Sequence, residues 1–218
     1  MKMTIMAYVY PLILRGVVKE QLCKYYSKDR MKVLSKKIHN EYRAIIKRSP
    51  EIGGRKNLFM GSYLMGAYLI ALYKSTKDKL SIAELDEIIS EGLKNFHYMK
   101  KHMSKVDLLS VNYKNKIEQA GEWCKRNKDK YPTNWQVEVK HKYNPDLTHI
   151  VFTKCGLCFL CKSEGAPEFI SSLCATDYIT MSFAKCKLER PTTLGKGSDY
   201  CDFYITRLWL KSNLKAPL

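Results

Sequence analysis

The sequence predicts an α+β fold in which an N-terminal helical part packs on a C-terminal antiparallel sheet built in ββ-αα-ββ order. Three observations carry this reading. Apolar residues recur at helical spacing through residues 1–130. The breaker cluster Lys130-Tyr-Pro132-Thr-Asn134 then ends the helical run. Beyond it the apolar period shortens to two, at Trp135, Val137, Val139, His141 and Tyr143, as in a half-buried strand. Helices first and strands afterwards place the chain in the segregated α+β class. The expected organisation is a helical part over residues 1–130 and a cysteine-rich ligand-binding or catalytic α+β part over 131–218, forming one compact unit.

Each element has its own signal. Met3 to Leu14 is apolar enough to imitate a signal-peptide core, but it lacks a small-residue cleavage site and meets Pro11 midway. A first helix packed on the body is expected there. Lys28 to Arg48 puts Met31, Leu34, Ile38, Tyr42 and Ile45 on one face and lysines on the other. Ser49-Pro50 stops it, Gly53-Gly54 supply a turn open to positive φ, and Asn57 caps the next helix. Leu58 to Tyr73 is too short, and too interrupted by Gly61, Ser62 and Gly66, to span a bilayer, so it reads as a buried core helix. Ser81-Ile-Ala-Glu84 forms a capping box that opens a helix through about Phe96. Val111 to Arg126 is amphipathic, with Ile117, Ala120 and Cys124 inward. After the strand from Trp135, Asn144-Pro-Asp146 turns the chain and Leu147 to Thr153 forms a second strand. Helices follow at Cys155 to Lys162 and, after Pro167, to about Phe183. Lys187 to Thr193 and Cys201 to Trp209 read as a closing hairpin across Gly195-Lys-Gly197-Ser.

An apolar share of 45% and a charged share of 27% are those of an ordinary globular chain. The formal charge of +17 invites a nucleic-acid reading. The basic residues are mostly Lys spread over helix faces, whereas nucleic-acid sites cluster Arg with exposed aromatics. A solvated lysine surface that draws in small anions is expected, with no nucleic-acid and no membrane partner. Eight cysteines in 218 residues do not make a disulfide scaffold, so a reducing cytoplasm and free thiols are expected. The oligomeric state is left open.

Six of the eight cysteines lie between Lys154 and Phe203. They fall in Cys155-Gly-Leu-Cys158 and Cys161, in Leu173-Cys174-Ala-Thr-Asp177-Tyr178, and in Cys186 and the stretch from Arg190 through Gly195 and Gly197 to Cys201-Asp202-Phe203. Cys155 sits at a strand-to-helix junction, where unpaired N–H groups favour a thiolate and hence a nucleophile. Against that, a free Cys is usually a small buried hydrophobe. With no second C-x-x-C, zinc is not expected. Asp177, on an otherwise apolar helix, needs a partner if buried. Pairing with Arg190 and acid–base work both satisfy that need. Among the histidines (39, 97, 102, 141 and 149) only His149 falls near the sheet's ligand face, as a lesser candidate proton carrier. No Ser-His-Asp order, P-loop or dinucleotide fingerprint is present.

These stretches resemble the C-terminal half of the L-2-amino-thiazoline-4-carboxylic acid hydrolase family. Pro50-Glu-Ile-Gly53-Gly54-Arg-Lys56-Asn57, leading into an apolar helix, resembles its N-terminal half. The resemblance implies a cofactor-free hydrolase acting on a small acidic substrate, a cyclic amidine-like or thiazoline carboxylate. Its implied catalytic set is Cys155, Cys174, Asp177 and Cys201. Arg190, with Lys56 and Asn57 as lesser candidates, would hold the substrate, and backbone N–H groups at Gly195 and Gly197 would stabilise developing charge. The same half distantly resembles the vinyl-reductase-type small-molecule-binding domain, some members of which bind metal through Cys, Glu, Cys and Cys. Here Cys174 and Cys201 match the first and last ligands, but Arg190 and Thr193 stand where the Glu and the middle Cys would be. That exchange implies an anion-binding pocket without metal. It also implies the alternative function, a non-catalytic small-molecule-binding or sensor module.

Overall fold

A computed structural model describes residues 1–208. The chain begins with helices α1 (Ile5–Leu22), α2 (Lys28–Arg48), α3 (Met60–Thr76), α4 (Ile82–Lys94), α5 (His97–Met103) and α6 (Val111–Arg126). Strands β1 (Gln136–Lys140) and β2 (Thr148–Lys154), helices α7 (Gly156–Ser163) and α8 (Ile170–Phe183), and strands β3 (Cys186–Glu189) and β4 (Cys201–Arg207) follow. All strand pairs are antiparallel, in the spatial order β1-β2-β4-β3. The architecture is α+β, as the change of period predicts.

Helix α1 runs through Pro11 without stopping. Proline has no N–H for the carbonyl four residues back, which belongs to Ala7. The Tyr42 hydroxyl of α2 donates to that carbonyl at 2.9 Å, so the buried acceptor keeps a partner. Helix α2 buries all five residues of its predicted stripe. Gly53 and Gly54 take the expected positive φ, at 100° and 56°, and α3 is buried almost all round. At α4 both halves of the Ser81–Glu84 capping box form. No helix among the described residues is long and apolar enough to cross a membrane.

Three boundaries differ from the sequence reading. The chain re-forms a helix, α5, immediately after α4; it buries no residue, so no apolar period announces it. Strand β1 is shorter than its alternation suggests, because His141 takes a left-handed φ of 49° and Tyr143 projects outward, 79% exposed. Strand β3 ends at Glu189, leaving Thr193 to cap a short 3-10 turn, Leu194–Lys196. The sequence reading carried the last strand to Trp209, which lies outside the described residues.

Two apolar cores result. The larger joins α1–α4 to Leu160, Phe169 and Leu173 of the α7–α8 segment. The smaller lies between Ile117 of α6 and one sheet face, formed by Val137, Ile150, Phe203 and Ile205. Phe59 and Phe152 pack against both, which places the seam between the cores beside the start of α7. Buried Glu164, just past α7, takes hydrogen bonds from Arg48 of α2 and Lys74 of α3 and ties the cysteine-rich part to the helical one.

Candidate active site

A cavity of about 200 Å³ opens at this seam. Its wall is aromatic: Phe59 stacks on Trp135 at 5.2 Å between centroids, and Phe152 meets Phe203 edge-on at 5.1 Å. Into this apolar space the fold brings Cys155, Cys174, Asp177, Arg190 and Cys201 together. Cys155 ends the β2 connection as the N-cap of α7. A Cβ on the next residue, Gly156, would lie 2.6 Å from the Trp135 ring, so only glycine lets the indole close over the helix start. Cys174 and Asp177 share one face of α8, three residues apart. Cys201 opens β4, and Arg190 follows the last residue of β3.

Arg190 organises the polar side. Its side chain is only 3% exposed. Nη1 donates to Asp177 Oδ2 at 2.9 Å and Nη2 to the Cys174 carbonyl at 3.0 Å. The guanidinium carbon lies 4.9 Å from the Phe203 ring centre and 5.1 Å from that of Tyr178, a cation–π sandwich. Its Nε is buried without a hydrogen-bond partner among the described residues. Asp177 leaves 39% of its side chain open. That surface lines both this cavity and a second one. Burial accordingly pushes its carboxyl up to about 6, against the opposing pull of Arg190.

The thiols correct the expectation of a stabilised thiolate. The neighbouring Cys158 thiol and then burial push Cys155 well above the usual thiol range, although the N–H groups of Leu157 and Cys158 pull the other way. The helix start does favour negative charge, but the Cys158 thiol and burial together outweigh it. Burial also raises Cys174, to about 12, despite Arg190. Cys201 is raised for the same reason, although the Leu194 N–H donates to its sulfur at 3.2 Å. All eight cysteines are free thiols.

Other candidates lie apart. Lys56 is exposed and Asn57 is buried, and neither lines the cavity. The Asn57 amide is engaged, donating to the Ile52 carbonyl and to Asn134 Oδ1 and accepting from the Phe59 N–H. Gly195 borders a smaller adjoining space beside Cys174 and Arg190. The Gly197 N–H closes its own turn on the Leu194 carbonyl, so it is no free donor. His149 faces away from the cavity, because Ile150 and Phe152 take the inward positions of β2. Its Nε2 lies 2.6 Å from Asp202 Oδ1 and its ring stacks on Tyr204. Among the described residues no cluster of His, Cys, Asp and Glu is disposed to hold a metal ion, and the Thr193 hydroxyl caps its turn instead.

The sequence reading missed Ser62, Tyr113 and the aromatic wall. Strand alternation does mark Phe152 and Phe203, but Ser62 and Tyr113 carry no local signal. Burial, followed by the charge of Asp177, holds the Tyr113 hydroxyl up at about 12, so it stays a proton donor. Together these groups offer a buried cation for a small anion in an aromatic pocket, beside a carboxyl that burial raises to about 6.

No curated protein and no solved structure matches the chain. A family model, described as L-2-amino-thiazoline-4-carboxylic acid hydrolase, matches residues 62–205. The match begins in α3 and ends in β4, and it contains every residue lining the cavity except Phe59. The Pro50–Asn57 block lies outside it. More than half of the sequence, with nearly all of the cavity wall, is thus covered, and the chain belongs to the L-2-amino-thiazoline-4-carboxylic acid hydrolase family.

Proposed function

We propose that the protein hydrolyses a small cyclic amidine-like acid, L-2-amino-thiazoline-4-carboxylate or a relative, with Arg190 binding the carboxylate and Asp177 moving the protons. The observation that carries this reading is the meeting of Asp177, Arg190 and three thiols in one aromatic cavity of a chain from this family. The Nε edge of Arg190 is an unused donor beside the two engaged nitrogens, and a carboxylate is the acceptor a guanidinium suits best.

The reacting carbon of such a ring lies between sulfur and nitrogen. Ionised Asp177 takes a proton from water as the water oxygen bonds to that carbon, and passes it to the ring nitrogen. The carbon–sulfur bond then breaks, and the hydroxyl proton travels through Asp177 to the departing sulfur. One water is consumed, and the product is a ureido acid with a free thiol. A carboxyl raised to about 6 suits both halves of this exchange at neutral pH. Cys155, Cys174 and Cys201 belong to the pocket wall in this scheme, because their raised pKa values leave little thiolate.

That last observation also favours a second reading, a binding or sensor module that holds the acid without opening it. Incubation with L-2-amino-thiazoline-4-carboxylate separates the two. Hydrolysis gives a product heavier by one water that carries a new titratable thiol. Opening through the carbon–nitrogen bond gives the same mass without the thiol. Tight binding with no product establishes the module.

A further inference from the structure

Asp177 and Ser62 stand between two cavities. Beyond the inner one lies a chamber of about 640 Å³, bounded by α1, α3, α5 and α8, and both residues line both spaces. The chamber's walls include Ile13, Leu58, Met65, Phe96, Met99 and Met103; Tyr98, His102 and Thr180 add polar atoms, and neither Lys nor Arg lines it. Methionine-rich walls adapt to apolar groups of varied shape. A bare thiazoline acid fits the inner cavity and leaves this chamber without a role.

The geometry fixes which part of a ligand would reach it. A carboxylate on Arg190 places the acid end of the ring deep in the inner cavity. The reacting carbon must lie beside Asp177, at the boundary. A substituent on that carbon is therefore the group that points outward between Ser62 and Asp177. We propose that the substrate of this chain is an amphiphilic ring acid carrying an apolar arm on its reacting carbon, and that the outer chamber binds the arm. The orientation rests on the carboxylate-binding role given to Arg190 above; the apolar character of the chamber does not.

The test uses 3-alkylcyclopentanecarboxylates, which keep the acid, the five-membered ring and the arm but contain nothing to hydrolyse. Calorimetric affinity is expected to rise about fourfold per methylene, on the order of 100-fold from the unsubstituted acid to the butyl compound. Met65→Trp places a rigid indole in the chamber wall and should reduce that gain, leaving the unsubstituted acid bound as before. Met99→Trp is the second variant, because it changes the same wall from a different helix, α5, which has no fully buried residue. Equal affinity for the unsubstituted and butyl acids overturns the inference, as does an equal loss for both acids in both variants.

Turnover is measured alongside, with 2-amino- and 2-butylamino-thiazoline-4-carboxylate. Arm-dependent binding without ring opening of either compound keeps the inference and refutes the hydrolase. Ring opening of the bare acid with no preference for the arm in either measurement refutes the inference and keeps the hydrolase.

Discussion

Arg190 is a buried cation with one carboxylate partner and an unused donor edge, so its role divides between holding Asp177 and holding substrate. Arg190→Lys keeps the charge and loses the planar fork. Steady-state kinetics should show KM for an acidic substrate rising at least about tenfold, with melting temperature little changed. An unchanged KM with a collapsed melting temperature means that Arg190 serves only to neutralise Asp177. The thiols answer to a different experiment. A thiol held at about 12 is ionised to roughly 1 part in 10⁵ at pH 7. Cys155→Ser, Cys174→Ser and Cys201→Ser should each keep kcat within about tenfold of the parent, and slow alkylation of all three should accompany that result. Loss of about 10³-fold in one variant with its fold intact restores a thiolate nucleophile. The residue types of the site were legible in the sequence, because Asp177 and Arg190 are conspicuous in apolar surroundings. The acidity of Cys155 was not, since local sequence shows the helix start and Cys158 but neither the hydrogen bond between the two thiols nor the burial that adds to it.

Among the elements, α1 and α2 are joined by a bond that neither helix needs in isolation. Tyr42→Phe removes the donor to the Ala7 carbonyl and leaves a buried acceptor that Pro11 cannot serve. Denaturant unfolding should show a loss of about 1–3 kcal/mol. Pro11→Ala supplies a backbone N–H to that carbonyl, so the double variant should recover part of the loss. Strict additivity of the two changes would mean that the carbonyl is satisfied elsewhere. The period of α2 and the capping box of α4 made those helices readable, since each signal is a short-range pattern. Helix α5 was not readable, because its seven residues include none that is fully buried. The far end of β1 misled for the opposite reason: alternation continues through His141 and Tyr143 after the backbone has left the strand.

At the scale of the whole molecule, the site belongs to neither half of the chain. Phe59, Ser62 and Tyr113 come from the helical part, and Asp177, Arg190 and the thiols come from the other. Leu160, Phe169 and Leu173 are buried in the same core as α1–α4. We propose that residues 1–130 and 131–218 form one cooperative unit. The isolated segment 131–218 should then unfold without a cooperative transition and bind no acid; a sharp transition in that segment would make it a domain of its own. This division of the site is also why it was only half legible: the cysteine-rich stretches reveal the polar cluster, while Phe59, Ser62 and Tyr113 reach it from residues distant in sequence.

The central claim is that Asp177 carries the protons. It is tested most directly by kcat/KM for ring opening of L-2-amino-thiazoline-4-carboxylate from about pH 4.5 to 8.5, in the parent and in Asp177→Asn. Below a pKa of about 6 the carboxyl is protonated and cannot accept from water. The rate should therefore fall about tenfold per pH unit on the acid side, level off above the limb, and drop about 10²–10⁴-fold in Asp177→Asn. A rate that begins to rise only in the alkaline range, and persists in Asp177→Asn, would contradict it.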